Sequence, residues 1–284
     1  MDKNNLIEKS YKVLALDLDG TVLNSDHCIS SALRKKIHQL KEKVHVVLVT
    51  GRHHTAAKPY YRELGLNTPI ICCNGTYVFD YENDRVIEHN AISKYNAQKF
   101  IKIAEENSFK LIMYIKDAML YSRAMPIAYM ERLSEWAKEY DNDIRPNIRC
   151  VDSFLDELDK TEYIWKFVIE GDDSKGFDEL DFVRKHFSGE RSWIDRIDYA
   201  NNGNSKGNAL ARYVSKLSYR SDQVVAVGDN FNDISMLEYA GCGVAMLNAD
   251  NTVKQSAQLT TLADNDDEHC LANLFDDLFS NKHE

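Results

Sequence analysis

The sequence predicts an α/β fold in which a parallel-sheet core is interrupted by an inserted α+β unit. Three observations carry that reading. Short apolar runs recur near both ends of the chain, each closing on a small or acidic residue. Helical patterns lie between those runs rather than in separate blocks. The middle of the chain instead alternates aromatic and polar residues, as paired strands do.

The first run, residues 12–16 (KVLAL), leads into Asp17-Leu18-Asp19-Gly20-Thr21. Residues 44–49 (VHVVLV) lead into Thr50-Gly51-Arg52, and 70–73 into Asn74-Gly75. Near the C-terminus, 224–227 close on Gly228-Asp229-Asn230, and 243–247 (GVAML) on Asn248-Ala249. Each run is continuous rather than alternating, which suits a strand buried on both faces. Helical spacing over 30–41 (opened by a Ser cap), 208–217 and 233–240 separates them. In the middle, strands are expected at 110–115, 119–122 and 163–170, and helices at 93–107, 127–140 and 177–187. The expected organisation is therefore a discontinuous core, residues 1–82 and 196–284, with a cap inserted at 83–195.

Composition narrows the function classes. With 35 Lys+Arg against 45 Asp+Glu the chain carries a formal charge of −10, so nucleic acid and anionic membrane are poor partners. No apolar stretch reaches the roughly 18 residues of a spanning helix. Residues 1–10 are polar and mixed in charge, without the basic and apolar segments of a secretory leader. Six cysteines occur without a CxxC, and Cys72 and Cys73 sit together in an apolar run, which reads as reduced, buried thiols. The expectation is a cytoplasmic protein, and no surface stripe specifies an oligomeric state.

Ligands of open α/β sheets bind beyond the carboxyl ends of the strands. There the sequence places Asp17 and Asp19, Thr50, Asn74, and Asp229 with Asn232 and Asp233. Any one of these alone is a cap or a turn; the conjunction points to a site. Asp17 and Asp19 are two residues apart, so both can approach one point, with Asp229 as a third carboxylate. Three such groups repel one another and raise each other's pKa unless a cation lies among them. A hard dication with oxygen ligands resolves this, and Mg²⁺, which also takes a substrate phosphate oxygen, fits best. Gly20-Thr21 and Thr50-Gly51 provide free amides and hydroxyls of the kind that cradle phosphate. Lys206 opens a helical pattern and is the natural cationic partner for carboxylate and phosphate.

The segments Asp17-Leu18-Asp19-Gly20-Thr21, Val49-Thr50-Gly51-Arg52, Lys206-Gly207 and Gly228-Asp229-Asn230-Phe231-Asn232-Asp233 resemble the four ordered motifs of the haloacid dehalogenase-like hydrolases. Asn74-Gly75, Lys206-Gly207-Asn208-Ala209-Leu210 and Gly243-Val244-Ala245-Met246-Leu247-Asn248-Ala249 look like the Cof-type phosphatases with the type IIB cap. The resemblance implies a Rossmann-like core and an aspartyl-phosphate mechanism. Asp17 matches the nucleophile and Asp19 the general acid/base. The Asp17 carboxylate, the Asp19 backbone carbonyl and the Asp229 carboxylate match the Mg²⁺ ligands. Phosphate or substrate would be held by the Leu18 backbone, Thr50, Gly51, Arg52, Asn74, Lys206 and Asn232, with Asp233 behind them. The approach to Lys206, Ala200-Asn201-Asn202-Gly203-Asn204-Ser205, lacks the family's proline, and Asp267-Glu268-His269-Cys270 stands where Glu-Asp-Gly-Val is usual.

The function expected is Mg²⁺-dependent hydrolysis of a small phosphorylated metabolite, with sugar phosphates or a phosphorylated cofactor such as pyridoxal phosphate as leading classes. A phosphotransferase of the phosphomutase kind and a non-catalytic phosphate-binding regulatory module are the alternatives. Other features have plainer readings. His53 and His54 read as solvated or substrate-near rather than as metal ligands. Tyr114, Tyr121, Trp136, Tyr163, Trp165 and Phe167 read as packing. Arg52 either contacts substrate or pairs with an acid. The acidic run 264–268 reads as a solvated turn.

Overall fold

The computed structural model describes residues 10–171, 174–193 and 195–279. Among them the chain forms strands β1 (Val13–Leu16), β2 (His45–Leu48), β3 (Ile70–Cys72), β4 (Tyr77–Asp80) and β5 (Arg85–His89). Next come β6 (Lys110–Ile115), β7 (Met119–Ser122), β8 (Ile148–Val151), β9 (Ile164–Glu170), β10 (Phe187–Trp193) and β11 (Arg196–Asn201). The last are β12 (Val224–Gly228), β13 (Cys242–Ala245) and β14 (Leu259–Thr260). Two compact units result. One holds the described residues up to Gly51, Tyr60–Ile87 and those from Ser205 onward; the other holds Arg52–Pro59 and Glu88–Asn204.

The first unit is built on a five-stranded parallel sheet in the order β14-β13-β12-β1-β2. Strands β1 and β12 are buried along their whole length, because helices cover both faces. Ile70–Cys72 departs from the expected pattern. It pairs antiparallel with β4, and a single parallel bridge, Val49 to Ile71, links it to the end of β2. The helix Ser31–Leu40 is capped by Ser30, whose hydroxyl accepts from Leu33 N, and it buries Leu33, Ile37 and Leu40. Segment 264–268 is exposed, as its charge suggests, but it also fastens the loop that follows β1. Asp266 Oδ1 accepts from Ser25 N at 2.8 Å, Asn265 Nδ2 donates to Leu23 O at 2.9 Å, and Glu268 Oε1 accepts from Ser31 Oγ at 2.6 Å.

The second unit carries a six-stranded sheet in the order β10-β11-β9-β6-β7-β8, antiparallel except where β7 meets β8. One face packs an aromatic core in which Phe100, from the helix Lys94–Glu106, stacks on Phe167 with ring centroids 4.3 Å apart. Phe177, Phe187 and Tyr199 complete it. Of the six aromatics assigned to packing, Tyr114, Trp165 and Phe167 are buried, while Tyr121, Trp136 and Tyr163 remain partly exposed. The helix expected at 177–187 is instead two short helices, Ser174–Phe177 and Asp181–His186. Phe187 is extended because it pairs with Asn201 at the start of β10. In this unit Asn90 binds the asparagine-rich turn, donating to Asn202 O at 3.1 Å and to Asn204 Oδ1 at 2.9 Å.

His53 and His54 are not solvated: they are 0% and 5% exposed, and their rings lie 4.4 Å apart. His53 Nε2 donates to Ile115 O at 2.9 Å. Its Nδ1 therefore accepts, from Thr55 Oγ1 at 2.9 Å and Thr55 N at 3.2 Å. Burial, helped by Lys166, outweighs the Ile115 contact and pulls His53 from its usual 6.5 down to about 4. Below pH 6.5 the unfolded chain takes up a proton that the folded chain refuses, so stability is lost as pH falls from about 6.5 towards about 4. At 1.36 kcal/mol per pKa unit, the loss from this residue between pH 6.5 and 5 is about 2 kcal/mol. Urea unfolding of His53→Gln, which keeps a donor for Ile115 O without titrating there, should show a correspondingly flatter pH dependence. An identical slope in both proteins would refute this account.

Candidate active site

The site lies at the carboxyl ends of β1 and β12, neighbours in parallel register with Leu16 opposite Val227. Asp17 follows β1 directly, its backbone N donating to Val227 O at 3.0 Å, and Asp229 follows β12. Adjacent strand ends thus bring together two carboxylates far apart in the chain. One oxygen each of Asp17, Asp229 and Asp233 lies within 4.8 Å of the others. Asp17 and Asp233 are buried; Asp229 is partly exposed.

Lys206 is the cation of this cluster. It opens the helix Lys206–Lys216, capped by Ser205, whose hydroxyl accepts from Asn208 N at 3.1 Å. Its side chain is 1% exposed, and its ammonium donates to Asp17 Oδ1 at 2.5 Å and Asp233 Oδ1 at 2.6 Å. Burial alone would lower its pKa, but the two carboxylates more than offset that and hold it above the ordinary lysine value. The approach without the family's proline still delivers Lys206 to both acids. Gly207 is required beside it, because a Cβ there would overlap the Ser235 backbone; Ser235 Oγ also accepts from Gly207 N at 2.9 Å.

Asp233 closes the network from below. Its Oδ2 accepts from the backbone N of Asp229 at 2.9 Å and of Asn230 at 3.0 Å, which shapes the loop around Asp229. With Lys206 on Oδ1, both its oxygens are engaged. Asp229 Oδ1 accepts from Thr21 Oγ1 at 3.0 Å. The Thr21 hydroxyl thus orients a carboxylate rather than cradling phosphate, a role that its place beside Gly20 did not disclose. Gly20 itself has φ +78, and a Cβ there would overlap Asp229 Oδ2. Asn248 Nδ2, from the loop after β13, donates to Gly20 O at 2.9 Å. Sequence reasoning gave Ser235 and Asn248 no task, since each acts through a partner remote in the chain.

Electrostatics separates the acids. Burial, then Asp233, pushes Asp17 well above the usual carboxylate range, and Lys206 only partly counters them. Burial and Asp233 likewise push Asp229 up to about 6. With all three carboxylates ionised against one ammonium, two negative charges would stand in a largely dry pocket. A divalent ion would neutralise them, and among the described residues no hydrogen bond reaches Asp17 Oδ2 or Asp229 Oδ2. The all-oxygen donor set fits a hard dication.

The remaining expected residues divide. Thr50 is buried, and its backbone N donates to Ile71 O at 2.9 Å. Asn74 is buried, and its Oδ1 accepts from Asn232 Nδ2 at 3.0 Å. Gly51 lies against the pair: a Cβ on it would sit 2.9 Å from Asn74 Oδ1. Leu18 is fully buried. Asp19 is exposed and lies outside the three-carboxylate cluster. Arg52 belongs to the second unit, where its guanidinium carbon lies 5.9 Å from the centre of the Trp136 ring.

Residues 14–274 match the family model described as haloacid dehalogenase-like hydrolase. The chain belongs to the haloacid dehalogenase-like hydrolases. Among curated relatives of this hydrolase, pyridoxal phosphate phosphatase YbhA of Escherichia coli is 39% identical over 255 residues, 87% of this chain and 92% of that protein. Phosphatase YwpJ of Bacillus subtilis is 29% identical over 285 residues, covering 93% and 98%. The crystal structure of a haloacid dehalogenase-like hydrolase from Bacteroides thetaiotaomicron superposes with a TM-score of 0.81 at 26% identity, over 94% of this chain and 99% of that one. The hydrolase is a phosphatase by family, and the regulatory-module alternative is set aside. None of its described helices is long and apolar enough to cross a membrane.

Proposed function

We propose that this hydrolase is a Mg²⁺-dependent phosphatase of small phosphate monoesters, working through an aspartyl-phosphate on Asp17. One observation carries the reading: among the described residues, Asp17 and Asp229 each keep one carboxylate oxygen that no hydrogen bond reaches, beside a buried lysine already held by Asp17 and Asp233. Asp17, Asp229 and the Asp19 carbonyl would hold Mg²⁺. When bound, the ion supplies charge neutralisation that keeps Asp17 anionic and offsets its repulsion from an anionic ester.

In the first step an Asp17 oxygen attacks phosphorus as the ester P–O bond breaks. Asp19, exposed and so within reach of an incoming ester, gives its proton to the departing alkoxide. In the second, the Asp19 carboxylate takes a proton from water. That water attacks phosphorus, the bond to Asp17 breaks, and phosphate leaves. Lys206, the Leu18 backbone, Thr50, Gly51 and Asn232 hold the phosphoryl oxygens, so that positioning and charge stabilisation carry most of the rate. Asp233 keeps Lys206 and the Asp229 loop in place.

Pyridoxal phosphate is the substrate to place first, supported by the 39% identity to YbhA; sugar phosphates are the second class. Six free cysteines suit a cytoplasmic setting. The test is turnover of p-nitrophenyl phosphate: EDTA should abolish it and added Mg²⁺ restore it. A panel of phosphorylated metabolites ranked by kcat/KM should then place pyridoxal phosphate at or near the top. Full activity in EDTA would refute the metal assignment.

A further inference from the structure

Three consecutive residues behind the site adopt left-handed backbone: Cys73 (φ 48), Asn74 (φ 55) and Gly75 (φ 87). Only the last is a glycine, so the turn is held in a conformation that two of its residues disfavour. Its contacts reach three of the segments expected to bind phosphate. Asn74 N donates to Thr50 O at 3.1 Å. Asn74 Oδ1 accepts from Asn232 Nδ2 at 3.0 Å and lies where a Cβ on Gly51 would crowd it. Gly75 packs so closely on the Ser205 carbonyl, one residue before Lys206, that a Cβ would overlap it. Asn232 Oδ1, in turn, is buried with no hydrogen-bond partner among the described residues. The bond to Asn74 sets the plane of the Asn232 carboxamide and takes one Nδ2 hydrogen, so the second Nδ2 hydrogen is the one that would donate to a phosphate oxygen.

We infer that Asn74 is a positioning residue for phosphate binding, acting through Asn232 rather than by touching substrate. The inference rests on the proposed phosphatase reading and assigns the left-handed turn a task within it. Ordinary burial does not explain the arrangement, because a left-handed asparagine would be cheaper as glycine unless its carboxamide were needed.

The test is a double-mutant cycle with p-nitrophenyl phosphate and Mg²⁺. Asn74→Gly removes the carboxamide but suits the backbone, so Tm measured in EDTA should hold or rise. KM should rise about 5- to 10-fold, the scale of one lost hydrogen bond, and the inhibition constant of inorganic phosphate should rise with it. Because Asn232 also steadies the transferring phosphoryl group, kcat should fall as well, by no more than about the same factor. Asn74→Ala, which adds strain, should lose Tm yet show the same rise in KM. Asn232→Ala should raise KM to a similar degree, and adding Asn74→Gly to it should change nothing more. A further rise in the double variant means that Asn74 contacts phosphate itself; an unchanged KM in Asn74→Gly means that the turn is only structural. Either result overturns the inference while leaving the phosphatase reading intact. A wild-type protein inactive with Mg²⁺ overturns both.

Discussion

Asp17→Asn should leave a folded protein whose turnover of p-nitrophenyl phosphate falls by about 10⁴-fold or more, the scale of losing a nucleophile. The amide keeps the shape of the carboxylate and an acceptor oxygen for Lys206, but it has no anionic oxygen to attack phosphorus. Stability should move the other way. Asp17 is buried, its carboxyl is raised well above the usual range, and Asp233 and Asp229 repel its charge. A neutral side chain removes that repulsion, so Tm in EDTA should match or exceed the wild type, the exchange of stability for function expected at active sites. Fluoroberyllate trapping of the wild type should place the adduct on Asp17. An adduct on another side chain, or a clearly lower Tm with residual activity, would refute the assignment.

Lys206→Met should cost both activity and stability. The buried ammonium bridges Asp17 and Asp233, and removing one partner of such an arrangement costs about 3–5 kcal/mol because uncompensated charge stays buried. The loss should depend on pH with a definite sign. Without Lys206 the folded-state pKa values of Asp17 and Asp229 move further above their unfolded values, and Asp229 already stands at about 6. The folded state then binds protons that the unfolded state has released, so the deficit grows as pH rises through that window. Urea unfolding in EDTA should show a larger deficit at pH 8 than at pH 5.5, and a deficit equal at both would contradict it. Turnover should fall about 10²–10³-fold, the scale of losing one donor to the transferring group.

Most of the first unit was legible because its strands advertise themselves. Val13–Leu16 and Val224–Gly228 are buried throughout and end on the acids of the site. The sheet order follows from few options once parallel strands alternate with helices. Ile70–Cys72 was legible as a strand but not in its pairing, because apolar content does not record whether a neighbour runs parallel or antiparallel. The second unit was less readable. The expected helix 177–187 runs one residue into β10, at Phe187, which its pairing with Asn201 of β11, not its own composition, holds extended. His53 illustrates the same limit: its sequence neighbours are polar or basic, yet it is sealed against Ile115, a residue more than one strand away in the chain.

Taken alone, the order of amino acids determined the strand ends, the two-residue spacing of Asp17 and Asp19, and membership of the haloacid dehalogenase-like hydrolases. These are local properties, set by apolar periodicity and short covalent spacing. Tertiary structure decided which oxygens are occupied and which are open. Lys206 reaches Asp17 across 189 positions, Thr21 reaches Asp229 across 208, and Asn232 reaches Asn74 across 158. Hydrogen bonds and burial at that separation depend on how sheet and helices pack, and they set the charge state of each acid and the aim of each amide.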